Sequence, residues 1–410
     1  MDLLTWIYLI YSFLAFYFLI FFILIYSQHK NELMQIPKIT KEYSVSCVVP
    51  CYNEEVSIGK TIEMLAKNGY SGLKKIIVVD DRSTDRSYEI IKKYEKKYPG
   101  LVLGVQTPKN TGNAAGAKNY GSKFVKTDLV LFTDADSFPE KRAIEKMIGF
   151  FDDEQTGAVT ASILVKNKDN FLLRMQVLEY LTIKFSRKLL EYVDSIYVTP
   201  GPLALYRTKY FFELGKFDEK NLTEDIELTW RFLEAGYNVK MSLVSRVYSI
   251  APRTMKDWIK QRIRWNVGGL QTIIKHKSKF LRRGMLGFFV LPLFISSWIL
   301  GIFGLSLFLY RLIDWALIKY LSTSYSIGAH TAVLSLKDIT LNPDILFFFG
   351  IVLFLAGLVF TLISVFHDKE KEFKRPKISD IVLYMFFYLL VYPVILVISM
   401  YKAIKGNVKW

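Results

Sequence analysis

The chain reads as an α/β domain set between apolar segments long enough to cross a membrane. Strand-like apolar runs alternate with helical patterns through the first half of a charged central stretch, and uninterrupted apolar stretches flank it on both sides. Alternating β and α elements whose strands are continuously apolar indicate a parallel sheet covered by helices on both faces.

The flanks come first. Leu3–Tyr26 carries no charged residue and suffices to span a hydrocarbon core of ~30 Å as a helix. It lacks a basic n-region, its apolar run is long, and no small-x-small site follows, so it reads as a signal anchor rather than a cleaved signal peptide. Met285–Tyr310, Ile345–Phe366 and Ile381–Met400 have the same character, and Arg311–Lys337 leaves room for a further crossing. The expected organisation is a transmembrane helix over 1–29, a domain over 30–283, and a membrane region of three or four segments over 284–410. The domain, about 250 residues, can bury one large core.

Within it, Ser44–Pro50 reads as a strand and Val56–Lys67 as a helix. Lys75–Asp80 is a second strand, Asp85–Lys97 a helix, Leu101–Thr107 a third strand, Ala114–Val125 a helix and Asp128–Thr133 a fourth strand. Phe171–Tyr192 and Met255–Ile274 are amphipathic, with aromatics and isoleucines beside Lys and Arg. They are expected as helices in a membrane interface, a buried domain helix being the alternative for each.

Lys and Arg outnumber Asp and Glu by 54 to 38, a formal net charge of +16. The excess gathers beside the apolar segments, at Lys38 and Lys41, Lys275–Arg283 and Lys369–Lys377, as the positive-inside rule and contact with anionic membrane lipids require. No zinc-finger or RNA-binding aromatic pattern accompanies it, which argues against nucleic acid as a partner. Cys47 and Cys51 have no second Cys or His pair and read as buried thiols.

Ligands of such sheets bind beyond the carboxyl ends of the strands. Pro50–Glu55, Asp80–Asp85 and Asp134–Asp136 therefore share one rim. Asp134-Ala135-Asp136 puts two carboxylates on a tight turn, where they repel each other unless a hard cation such as Mg²⁺ or Mn²⁺ is shared with substrate phosphates. Asp80 or Asp81 can accept hydrogen bonds from a nucleoside, whereas Asp85 reads as a helix cap. Thr223-Glu224-Asp225 opens a helix that Gly236 ends, and the dipole there favours an ionised Asp225 able to take a proton from a hydroxyl. Gln261, Arg264 and Trp265 stand at i, i+3 and i+4 on one helix face, suited to a sugar ring stacked beside a diphosphate. A snorkelling interface helix anchored by Trp258 and Trp265 would show the same pattern.

From Val45 to Gly269 the stretches VVPCYNEE, VVDDRSTD, FTDADS, GPLALYR, TEDIELTWRFLEAGY and QRIRWNVGG follow in order. Together they resemble the family 2 inverting glycosyltransferases, specifically the membrane synthases of poly-N-acetylglucosamine, hyaluronan, chitin and cellulose, and the ceramide glucosyltransferases. The resemblance implies a GT-A (Rossmann-like) glycosyltransferase domain, a UDP-sugar donor and single displacement to a β-linkage. It assigns Tyr52, Glu54, Asp80, Asp81 and Asp134 to the nucleotide and Asp134 and Asp136 to the metal. Asp225 becomes the general base. Gly201, Pro202, Glu224, Gln261, Arg264 and Trp265 go to the acceptor and diphosphate site. One departure stands out: the family usually has Lys shortly before an Ala-x-Ala-Leu-Asn pattern, whereas that position is Ala114 here and Lys118 stands in the place of Leu.

The expectation is a processive, metal-dependent synthase on the cell membrane with its domain in the cytoplasm, alone, as a homo-oligomer or with an accessory membrane subunit. It would extend a β-linked polysaccharide from UDP-N-acetylglucosamine or a related UDP-hexose. The alternatives are transfer of one sugar to a membrane lipid and a sugar-binding protein without activity.

Overall fold

The computed structural model describes residues 3–282, 284–328, 345–367 and 376–406. The expected basic residues Arg283 and Lys369–Arg375 and the tail residue Lys409 lie outside them. The chain divides into two compact units, Met1–Leu24 with Phe294–Val397, and Ile25–Leu293 with Ile398–Trp410.

The second unit carries the sheet. Its first half follows the expected order: β1 (Val45–Cys51), α2 (Ile58–Ala66), β2 (Leu73–Asp80), α3 (Ser87–Lys97), β3 (Val102–Gln106), α4 (Ala114–Ser122) and β4 (Leu129–Phe132), after the apolar helix α1 (Leu3–His29). The first four strands are parallel, in the order β3-β2-β1-β4. Both faces are covered. Val45, Cys47, Val49, Ile76 and Val78 pack with Ile58, Ile62 and Ile91 of α2 and α3 on one side. On the other, Gly121 of α4 sits so close that a Cβ there would lie 2.6 Å from both Val48 and Val79. The chain turns from β3 back past β1 to β4, so the switch point, where the strand ends leave a crevice, falls between β1 and β4.

An all-parallel sheet is not what continues from there. The remaining elements are β5 (Ser137–Pro139), α5 (Glu145–Ile148), β6 (Thr156–Val165), α6 (Phe171–Glu191), β7 (Ala204–Arg207), α7 (Thr208–Glu213), α8 (Glu224–Glu234), β8 (Asn238–Ser249) and α9 (Met255–His276). The eight-stranded sheet runs β3-β2-β1-β4-β7-β6-β8-β5, with β7 antiparallel to both β4 and β6. The fold is thus a mixed Rossmann-like sheet. The four-residue β7 carries too little pattern to announce the reversal.

The amphipathic stretch 171–192 forms a domain helix. α6 packs on β6 and β8 and buries most of its length, including every charged residue but Arg174. Lys188 does not snorkel: it pairs with Glu191 at 2.9 Å and donates to the Met241 carbonyl at 3.0 Å. α9 likewise buries Trp258, Arg262, Ile263, Asn266 and Val267.

Four described helices are long and apolar enough to cross a membrane: α1, α10 (Leu291–Gly328), α11 (Ile345–Phe366) and α12 (Ile378–Ile404). α10 outruns the expected Met285–Tyr310; its 38 residues rise about 57 Å, roughly twice a hydrocarbon core. As far as Gly328 the chain continues as one helix, and the rest of the suggested crossing at Arg311–Lys337 lies outside the described residues.

Candidate active site

The rim of the parallel half is built by stapling strand-end loops together. After β1, Asn53 takes a left-handed backbone (φ 54°) and its amide nitrogen donates to Ser83 at 3.0 Å. Its side-chain oxygen accepts from the Thr84 amide at 2.8 Å, while the Glu54 amide donates to Ser87 at 2.8 Å. Asp85 stands just before the N-cap of α3 and accepts from the Ser87 amide at 2.9 Å and the Glu55 amide at 3.1 Å. These bonds leave Tyr52 half exposed above the crevice.

The two neighbouring aspartates after β2 have separate surroundings. Asp81 is spent on architecture, accepting from Thr107 Oγ1 at 2.8 Å, the Thr111 amide at 3.0 Å and Thr111 Oγ1 at 2.7 Å. Asp80 accepts from Gln106 through Oδ2 at 2.8 Å, but its Oδ1 is sealed from solvent with no donor. A buried acceptor without a partner is costly and fits a ligand N–H.

Across the crevice, Thr61 of α2 donates to the Ala135 carbonyl at 2.6 Å and fixes the Asp134–Asp136 turn. Burial, then the charges of Asp134 and Glu54, push Asp136 up to about 7. Carboxylates crowded in this way are short of a cation, so the residues present fit a divalent metal.

Lys118, the residue that departs from the family pattern, comes next. It projects from α4 and is buried, with Nζ 2.9 Å from Glu224 and 3.7 Å from Asp134. Burial would pull it down, but the Glu224 and Asp134 carboxylates outweigh that and raise it. It therefore stays charged, bridging the turn after β4 to the start of α8. Gly201 completes the corner: a Cβ on it would stand 2.9 Å from the Asp134 carboxylate.

Glu224 and Asp225 begin α8 as the spacing predicts, and Gly236 (φ 84°) ends it. Asp225 is raised by burial and by neighbouring Glu224, against the lowering pull of Lys118 and Arg264. Its carbonyl accepts from Thr229 Oγ1 at 2.6 Å, and the same hydroxyl meets Thr199 Oγ1 at 2.8 Å, tying the 199–202 loop to the helix.

α9 presses on this start. A Cβ at Gly268 would lie 2.3 Å from Thr223 Oγ1 and 2.7 Å from the Thr223 amide nitrogen, so only glycine permits the approach. Gly268→Ala is expected to displace Thr223–Asp225, cost about 1–3 kcal/mol of stability, and lower activity more than donor binding. A thermal melt and a binding isotherm check it, and an Ala variant identical to the parent in both would refute it.

Arg264 donates to the Leu222 carbonyl at 3.1 Å and lies within electrostatic reach of Asp225. Arg262, which the i, i+3, i+4 reading passed over, is fully buried and pairs with Glu179 of α6. Its guanidinium also donates to Gln261 at 2.5 Å and stacks 4.0 Å from the Trp265 ring centroid. Gln261 and Trp265 are thus held in place by Arg262, and the indole has one face already covered. Among the described residues no hydrogen bond joins Pro202, Gln261 or Trp265 to the carboxylates, which stand on other elements.

A mixed sheet with acidic turns at its switch point and a buried acid at a helix start is the architecture of a GT-A domain. Residues 46–215 match the family model "Glycosyl transferase family 2". The chain is 30% identical over 258 residues to the "Probable glycosyltransferase YdaM" of Bacillus subtilis, covering 62% of this chain and 60% of that one. It is 29% identical over 236 residues to a "Poly-beta-1,6-N-acetyl-D-glucosamine synthase" of Staphylococcus aureus, covering 56% of each. The matches thus span little more than half the length of these curated relatives. Among solved structures, a mannosyltransferase of Pyrobaculum calidifontis in complex with GDP-Man and Mn²⁺ superposes over 97% of this chain and 99% of its own, with a TM-score of 0.62 and 17% identity, a likeness of fold. Residues 46–215 are thus the part of the chain that matches a glycosyl transferase family 2 domain.

Proposed function

We propose that the chain transfers sugar from a UDP-sugar, UDP-N-acetylglucosamine or a related UDP-hexose, onto the end of a growing β-linked polysaccharide, with inversion. The observation that supports this most is the convergence of Asp134, Lys118, Glu224 and Asp225, drawn from three separate elements onto the sheet's switch point. In this reading Asp80 meets the base through its unpartnered oxygen and Tyr52 covers it. The acceptor hydroxyl oxygen bonds to the anomeric carbon while the bond from that carbon to the diphosphate breaks. Asp225 takes the hydroxyl proton, and the nucleoside diphosphate leaves.

A divalent cation, Mg²⁺ or Mn²⁺, held by Asp134 and Asp136, would neutralise the leaving diphosphate. Among the described residues no three His, Cys, Asp or Glu side chains are grouped to hold a metal alone. Its other ligands would come from the donor and from water, as is usual for Mg²⁺ beside phosphates.

Purified protein incubated with Mn²⁺ and several labelled UDP-sugars, with the product sized, tests the reading. A high-molecular-weight product is expected, and a labelled lipid alone would sink the polymer assignment in favour of single transfer to a lipid. Trp265→Ala should bind UDP normally and lose acceptor engagement, since the indole offers its free face to a sugar ring. A variant that loses UDP binding instead overturns that role.

UDP-sugars are cytoplasmic, so the domain bounded by residues 30–283 is assigned to the cytoplasmic face of a multi-pass membrane protein. Cysteine labelling of that domain from outside intact cells would refute the assignment.

A further inference from the structure

Three buried cations of the domain pair directly with carboxylates. Lys118 has Glu224, Lys188 has Glu191 and Arg262 has Glu179. Arg187, on the same helix as Lys188, is 6% exposed, yet it makes no ion pair or hydrogen bond among the described residues. Its Nε is sealed from solvent with no acceptor. The groups that face it electrostatically are Tyr197, Asp225 and Tyr180, and Tyr180 in turn senses Asp136. α6 therefore carries a buried guanidinium with no direct ion pair, and Asp225 is the carboxylate that acts on it through space. Burial alone lowers its hold on the proton, and those three neighbours only partly restore it.

A buried guanidinium without a direct ion pair is costly to hold. The five donors of a guanidinium form a rigid fork that matches phosphoryl oxygens. A neutral sugar hydroxyl would leave the charge uncompensated.

Resting on the reading of the site as one for a nucleotide-sugar donor, we propose that Arg187 is a phosphate-binding residue whose missing direct partner is a phosphoryl group of the bound substrates. That phosphoryl group has two sources, the leaving diphosphate of the donor or an anionic lipid phosphate arriving as acceptor.

The full chain in detergent, with Arg187→Met and Arg187→Lys beside it, separates them. Calorimetry measures inorganic pyrophosphate with Mn²⁺ in one arm and dodecyl phosphate without metal in the other. Arg187→Met should weaken one of the two by roughly tenfold or more, the loss expected for a charged hydrogen bond, and Arg187→Lys should restore part of it. Loss in the pyrophosphate arm identifies the donor diphosphate; loss in the dodecyl phosphate arm identifies an anionic acceptor. Ligand-free Arg187→Met should melt no lower than the parent, since a structural arginine would take stability with it.

Unchanged affinity for both probes, a parent that binds neither, or a large drop in melting temperature overturns the assignment. Transfer from labelled UDP-sugars is scored separately on the parent. Its absence would sink the broader reading, while the pyrophosphate and dodecyl phosphate arms still decide Arg187.

Discussion

Asp225→Asn is expected to lower sugar transfer by roughly two to four orders of magnitude while keeping the fold and the affinity for UDP. The asparagine is isosteric but cannot take the proton from the attacking hydroxyl. Glu224, the neighbouring acid, does not compensate, because Lys118 holds its Oε1 at 2.9 Å. Glu224→Gln is therefore expected to act differently, by releasing Lys118 from its main partner, and to cost less.

The pH dependence has a definite sign. Burial and Glu224 raise Asp225 above the ordinary carboxylate range. A base works ionised, so activity is present above that raised value and is lost as the pH falls through it. The acid limb of kcat should consequently lie above the ordinary carboxylate range, and Asp225→Asn should erase it from the residual rate. An Asn variant with near-normal turnover, or one that no longer binds UDP, would show that the base is another group.

Asp136→Ala should abolish transfer and weaken UDP binding in the presence of Mn²⁺ by about tenfold or more, since a divalent ion contributes several kcal/mol to holding and stabilising a diphosphate. The site minus one carboxylate retains Asp134, which Lys118 already approaches at 3.7 Å, so little negative charge remains to recruit the ion. Chelation of the parent should reproduce both effects. Full activity in EDTA, or a variant whose UDP affinity no longer depends on Mn²⁺ yet equals that of the parent, would exclude this role for Asp136.

The βα order of the parallel half was legible because each element spans one local pattern. KIIVVD is a strand that ends on an aspartate, and the charged run from 85 to 97 has helical periodicity. Local spacing likewise put Glu224 and Asp225 at a helix start and Gly236 at its end. The sheet's mixed second half was not legible, since β7 is four residues long and its antiparallel seat between β4 and β6 depends on partners far along the chain. α6 shows a different limit. Its mixture of Lys, Arg and aromatics suits a membrane interface as well as a crowded sheet face, and only the strands packed against it decide.

By itself, then, the sequence determined which residues stand at strand and helix ends, because those positions follow from periodicity and caps within a few residues. It also marked the apolar helices, because length and composition suffice for them. Tertiary structure alone decided which charges meet. Lys118 finds Glu224 across 106 positions and Arg262 finds Glu179 across 83. Arg187 is left without a direct ion pair, with Asp225 acting on it only through space. Ion pairing acts through space over a few ångströms, and the folded sheet, not the spacing of residues along the chain, sets those distances.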